Sequence, residues 1–82
     1  MNTLVQVNPD EPSEFQKRIG IRVRELRTAR QISQEAFADL CDLHRTHMSL
    51  LERGRVNITV NTLKAIIDTL GVTASEFFAG FD

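Results

Sequence analysis

Apolar residues recur along this chain at three- and four-residue intervals, in short stretches separated by turn and capping residues. Phe15, Ile19, Val23 and Leu26 form one stripe at helical spacing, Phe37, Ala38 and Cys41 a second, and Met48 and Leu51 a third. Leu63, Ile66, Ile67 and Leu70 make a fourth. The boundaries between them are also written in the sequence. Ser13 with Gln16 reads as a capping box opening a helix that runs to about Arg30. Ile32 plugs the following loop, and Ser33 caps a helix from Gln34 to about Cys41. A third helix spans about Arg45 to Arg53 and stops at Gly54. Thr59 caps a fourth that ends at Leu70 before Gly71, and Thr73 with Glu76 opens a short fifth ending near Gly80. No alternating pattern or internal repeat suggests a strand. The pattern predicts an all-α, compact five-helix domain over residues 13–82, preceded by a flexible arm over residues 1–12 that Pro9 and Pro12 set apart.

The stretch from Gln34 to Arg53, QEAFADLCDLHRTHMSLLER, is the most informative. It reads as two short helices meeting at a tight turn, with Ala38 small enough to let their axes cross closely. The second carries Arg45, Thr46, Ser49 and Leu50 on the side opposite Met48 and Leu51. That is the pattern of a helix-turn-helix, whose second helix enters the DNA major groove. The side-chain chemistry suits the task. Arginine pairs both forks with guanine N7 and O6, threonine bonds a base edge or meets a thymine methyl, and leucine packs on a thymine methyl. An ordinary exposed helix face is the competing reading, strongest for Leu50. At the start of the preceding helix, by Gln34, free backbone N–H groups and the helix dipole favour an anion.

The motif Ser33-Gln34-Glu35-x-x-Ala38, followed by Leu43-x-Arg45-Thr46-x-Met48-Ser49-x-Leu51-Glu52-Arg53-Gly54, resembles the Cro/C1-type (XRE-like) helix-turn-helix regulators. Within that family it is most similar to the small restriction–modification controller proteins and phage-type repressors. The resemblance covers roughly Phe15 to Phe78 and implies the lambda-repressor-like DNA-binding fold. It implies base reading by Arg45, Thr46, Ser49 and Leu50, and phosphate contacts from Gln34, Arg55 and Asn57, while His47 is either a phosphate donor or a plain exposed histidine. It also implies a partly buried ion pair between Arg27 and Glu52, with the remaining arginine donors near a phosphate. Three positions depart from the family pattern. Asp42 stands at the turn where glycine is usual, His44 where a small capping residue is common, and His47 where controller-like members often carry tyrosine. Asp42 tolerates left-handed backbone angles, and it is a candidate to cap the third helix in place of His44.

Charge agrees once its distribution is considered. The 82 residues carry a net charge of −1, but residues 17–55 hold nine basic against five acidic side chains, a net +4. Residues 1–16 carry −3 and residues 56–82 carry −2. Positive charge therefore sits on the reading unit, as phosphate contact requires. Solvated arginines on the first helix are an equally good account of that helix alone.

Other classes fit poorly. A single cysteine cannot form an internal disulfide and suits a reducing cytoplasm. No apolar run exceeds three residues, far short of a membrane span, and the first twelve residues lack the basic and apolar segments of a signal peptide. Cys41 and His44 fall three residues apart, but one cysteine and two histidines do not make a structural zinc set. Cys41 lies on an apolar helix face, as a buried structural thiol does. With no phosphate-binding glycine loop and no catalytic triad, the chain reads as a non-enzyme without metal or cofactor.

Phe77, Phe78 and Phe81 are three of the five phenylalanines. One of Phe77 and Phe78 should complete the core, and an exposed aromatic remainder marks an interface. The resemblance implies that this C-terminal helix, residues 73–80, forms a two-fold dimer contact. The leading expectation is thus a homodimeric regulator, such as a repressor or autoregulator, reading a pseudo-palindromic double-stranded operator. The alternative is an antitoxin-type interaction module whose main partner is another protein.

Overall fold

The computed structural model describes residues 12–81. Five helices follow one another: α1 (Glu14–Ala29), α2 (Gln34–Leu40), α3 (Arg45–Glu52), α4 (Val60–Leu70) and α5 (Ala74–Phe77). Among the described residues there is no strand. The expected N-terminal arm lies outside the described residues, save Pro12.

Each helix starts where a side chain can satisfy its free N–H groups. Ser13 and Gln16 form the reciprocal capping box at α1, and Thr73 and Glu76 form another at α5. Ser33 and Thr59 accept from the backbone N–H of Ala36 and Thr62. Gly71 ends α4 in the left-handed region with φ 74°. The C-terminal helix is shorter than expected, closing at Phe77, and residues 78–80 continue as turns.

The core is one cluster drawn from all five helices: Ile19 and Val23 of α1, Phe37 and Ala38 of α2, Met48 and Leu51 of α3, Ile66, Ile67 and Leu70 of α4, and Phe77 of α5, with Cys41 beside them. Leu26, Ile32, Leu43 and Leu63 pack against it half-buried. Phe15 departs from its expected inward place. It is 52 % exposed, because it lies past the end of the core, where its ring meets those of Phe78 and Phe81.

The α1–α3 crossing sets where α3 sits. Gly20 on α1 is buried against the last turn of α3 so closely that a Cβ would lie 2.5 Å from the Leu51 carbonyl oxygen and 2.6 Å from that of Glu52. After α3, Gly54 adopts φ 70° and places its backbone on α1, where a Cβ would lie 2.6 Å from the Lys17 Cα. Two glycines therefore bring α3 and its trailing loop into backbone contact with α1.

Candidate nucleic-acid interface

Helix α3 divides cleanly by burial. Met48, Leu51 and Glu52 face inward, Arg45 and Thr46 are exposed, and His47, Ser49 and Leu50 are half-exposed. The turn before it needs a left-handed residue, and Asp42 supplies it at φ 57°. The Leu43 N–H then donates to the Ala38 carbonyl at 2.8 Å, closing the two helices on each other. His44 itself caps α3: its Nδ1 accepts from the Thr46 N–H at 3.1 Å. The alternative cap, Asp42, is not used. A neutral imidazole nitrogen performs the role usually taken by a hydroxyl or carboxylate oxygen.

A buried polar chain holds the orientation of α3. Arg27 Nε donates to Glu52 Oε2 at 2.6 Å and Arg27 Nη2 to Glu52 Oε1 at 2.9 Å, with side-chain exposures of 10 % and 3 %. The hydrogen bond to Glu52 raises the Arg27 pKa above its ordinary value, against the opposing effect of burial. Arg27 Nη1 donates to the Ile32 carbonyl at 2.8 Å, which fixes the α1–α2 loop as well. Three of the five guanidinium donors are thus committed inside the protein, so Arg27 ties α1 both to α3 and to the α1–α2 loop.

Gln34 extends this chain to the surface. Its Nε2 donates to Glu52 Oε1 at 3.1 Å, leaving its Oε1 without a partner among the described residues. Gln34, Arg45, Thr46 and Ser49 together line an open cleft of about 200 Å³. Four residues singled out from the sequence thus meet at one place. Leu50 lies half-buried at the edge of this face rather than fully on it. Arg53 folds back along α3, its Nε donating to the Ser49 carbonyl at 3.3 Å.

The loop after α3 presents Arg55 and Asn57, both exposed. The Arg55 N–H donates to the Leu50 carbonyl at 2.9 Å, while its guanidinium has no partner among the described residues. Asn57 is engaged by Gln16, a contact the sequence did not announce. Gln16 Nε2 donates to Asn57 Oδ1 at 2.7 Å and to the Val56 carbonyl at 3.0 Å. The distances along the chain are 41 and 40 residues, and no local pattern reports them.

The basic residues of α1 correct the picture drawn from charge counting. Arg22 donates to the carbonyls of Phe77 and Glu76, Arg18 to that of Gly80, and Arg30 to that of Leu70. The Arg18 guanidinium also lies 4.6 Å from the centroid of the Phe81 ring. Three of the nine cations in residues 17–55 therefore bind the C-terminal half of the fold, leaving Arg45, Arg53 and Arg55 as the basic residues on and after the reading helix.

The three C-terminal phenylalanines do not share one role. Phe77 is fully buried, so its expected place in a dimer interface is replaced by one in the core, where α5 needs a large anchor. Phe78 and Phe81 are half-buried, and they join Phe15 with ring centroids 5.0 to 6.1 Å apart. Ile21, 56 % exposed, lies beside Phe81 in a neighbouring cleft. Among the described residues no group of metal-ligating side chains comes together, and no helix is long and apolar enough to cross a membrane.

Known proteins of this shape share the arrangement. Residues 18–77 match the family model described as a helix-turn-helix domain. The control protein C.MunI of Mycoplasma sp is 35 % identical over 71 residues, spanning 85 % of this chain and 96 % of the relative. The restriction–modification controller protein C.AhdI from Aeromonas hydrophila superposes with a TM-score of 0.76 at 33 % identity, over 80 % of this chain and all of its own. The controller C.Esp1396I, solved as a tetramer in complex with its natural 35-base-pair operator, gives a TM-score of 0.76 at 28 % identity, covering 82 % of this chain and 88 % of its own. This chain belongs to the helix-turn-helix family of transcriptional regulators, among its small control proteins.

Proposed function

We propose that this protein is a sequence-specific regulator of transcription that binds double-stranded operator DNA as a homodimer. The observation that carries the reading is the α3 face itself. Arg45 and Thr46 stand exposed at the start of a helix whose angle is fixed by a buried Arg27–Glu52–Gln34 chain. Rigid support of this kind is what base readout needs, because a bidentate arginine–guanine contact tolerates little displacement.

In this reading Arg45 and Thr46 reach base edges, while Ser49 and Leu50 line the groove one turn on. Gln34, His47, Arg55 and Asn57 contact the flanking phosphates and set the register. The HTH unit of residues 34–53 sits within a single domain that begins at residue 13. The two-fold contact uses the half-buried Phe78 and Phe81 together with Phe15 and Ile21, rather than Phe77. The protein works by binding, without catalysis, in the cytoplasm where its operator lies. An antitoxin-type role is the weaker reading, since no feature among the described residues calls for a different protein partner once a second copy covers the aromatic patch.

The test is the base preference of variants in a duplex-binding assay. Arg45→Ala should relax discrimination at one position of the site, at a cost of about 1–3 kcal/mol. Arg55→Ala should weaken binding to all sequences alike and lower the salt slope by about one. An Arg45→Ala protein with unchanged base preference would contradict the assignment.

A further inference from the structure

We propose that Gln16 is a positioning residue for DNA binding, acting through Asn57. The inference rests on the regulator reading above and extends it to a residue on α1, a helix outside the helix-turn-helix unit.

Main-chain partners fix which end of the Gln16 amide is which. The Ser13 backbone N–H donates to Gln16 Oε1 at 2.7 Å, and a backbone N–H has no acceptor capacity. The other end of the Gln16 side chain is therefore its Nε2, which meets the Val56 carbonyl at 3.0 Å, a group that only accepts. Both assignments agree, and each is made by a main-chain group that cannot be reversed. The third contact then follows. Gln16 Nε2 is 2.7 Å from the Asn57 side chain, which must present its Oδ1 to that donor. The Asn57 Nδ2 is left on the far side, with both hydrogens unused among the described residues.

The consequence concerns an anion. A freely rotating asparagine presents oxygen or nitrogen outward with little preference, and only the nitrogen can donate to a phosphate oxygen. Gln16 removes the unproductive orientation before DNA arrives, so the donor is in place at no cost on binding. Gln16 also ties the Val56 carbonyl, so the backbone that carries Asn57 is held against α1. Gly54 adds to this by seating the same loop on Lys17. Capping of α1 and presentation of the phosphate donor are thus two tasks of one side chain.

The two tasks separate by substitution. Gln16→Glu keeps the acceptor for the Ser13 N–H, and glutamate is as good as glutamine at this capping-box position. It loses both donors, and its carboxylate draws Asn57 Nδ2 inward, turning Oδ1 toward the phosphate. Gln16→Met removes the donors without adding charge. The experiment measures affinity for a mixed-sequence duplex of about 20 base pairs by fluorescence anisotropy. It compares the full chain with Gln16→Glu, Gln16→Met, Asn57→Ala and the Gln16→Met/Asn57→Ala pair, and thermal melts confirm folding.

Asn57→Ala should weaken binding roughly tenfold, as expected for loss of one hydrogen bond to a charged group, and Gln16→Met about two- to fivefold, because it frees the asparagine and its loop without removing the donor. The double variant should be no weaker than Asn57→Ala alone, because Gln16 has nothing left to position. Gln16→Glu should weaken binding at least as much as Gln16→Met while melting like the parent chain. Losses that multiply in the double variant, or a Gln16→Met protein that binds like the parent, would overturn the proposal and leave the regulator reading intact. A parent chain that binds no duplex would remove the regulator reading and this inference together.

Discussion

Arg27 and Glu52 face each other across the α1–α3 crossing with two parallel hydrogen bonds, and Glu52 accepts a third from Gln34. The carboxylate is thereby the node between the core and the reading face. Its net contribution relative to an apolar pair of the same size is small, since desolvating both ions offsets most of their attraction. Breaking it is another matter. Glu52→Ala leaves a buried, uncompensated guanidinium and should destabilise the fold by about 3–5 kcal/mol. Arg27→Lys, which retains charge but not the fork, should also fall well below the parent chain. Chemical denaturation measures both. A Glu52→Ala loss within about 1 kcal/mol is the value of a surface pair and would contradict the burial.

Gly20 makes a second prediction because two effects oppose each other there. Alanine is the better helix former by about 1 kcal/mol. Its Cβ would nevertheless meet two backbone carbonyl oxygens of α3 at 2.5 and 2.6 Å, atoms that yield only if the helix itself moves. Overpacking of this kind costs about 1–3 kcal/mol, so the clash outweighs the propensity. Gly20→Ala should lower stability and weaken DNA binding together, because the displaced element is the reading helix. A stabilised variant would mean that α1 and α3 do not approach this closely.

The histidine cap predicts an improvement. Nδ1 of His44 holds the Thr46 N–H at 3.1 Å, but histidine is outside the residues favoured at such positions. His44→Ser brings a shorter acceptor to the same N–H and should stabilise the protein by about 0.5–1 kcal/mol. His44→Ala should cost about 1 kcal/mol in the other direction. Equal melting temperatures for the three proteins would show that the cap carries no energy.

Burial pushes the Cys41 thiol up from its ordinary range, opposed in smaller part by a hydrogen bond with Thr69. A raised folded-state value means that this contribution to stability is complete below the unfolded thiol range and is lost as pH rises through the folded value. Ionisation of Cys41 should leave stability unchanged at neutral pH and lower it at alkaline pH, and Cys41→Ala should flatten that decline. Alkylation of the native thiol at pH 8 should be at least ~100-fold slower than in urea, since it requires local opening. Rapid labelling of the folded protein would place Cys41 on the surface.

Much of this architecture is legible in the residues themselves. Caps at Ser13, Ser33, Thr59 and Thr73 are local signals, and each reports a helix start within the reach of a few side-chain atoms. The split of α3 into a Met48–Leu51 face and an Arg45–Thr46 face is local for the same reason. What the pattern misses is set by tertiary contact. Phe15 keeps the phase of Ile19 and Val23, yet it lies beyond the end of the core and turns outward onto Phe78 and Phe81. Arg18, Arg22 and Arg30 look like a basic face until the C-terminal carbonyls they bind are in place. Phe77 cannot be told from Phe78 by sequence, since adjacent positions differ only in which side of a four-residue helix they occupy. Gly20 carries its importance wholly in contact with a distant segment, and Gln16, legible as a cap, has a second contact that only the tertiary fold supplies.

In this reading the α3 face reads bases in the major groove from a dimer. Selection of random duplex DNA by the purified protein at ~150 mM salt tests it most directly, because low salt lets sequence-independent phosphate binding dominate. The account predicts enrichment of an inverted repeat with half-sites about one helical turn, ~34 Å, apart. Recovery of unenriched sequences would contradict it, since an exposed and rigidly held Arg45–Thr46 face would then have no base to recognise.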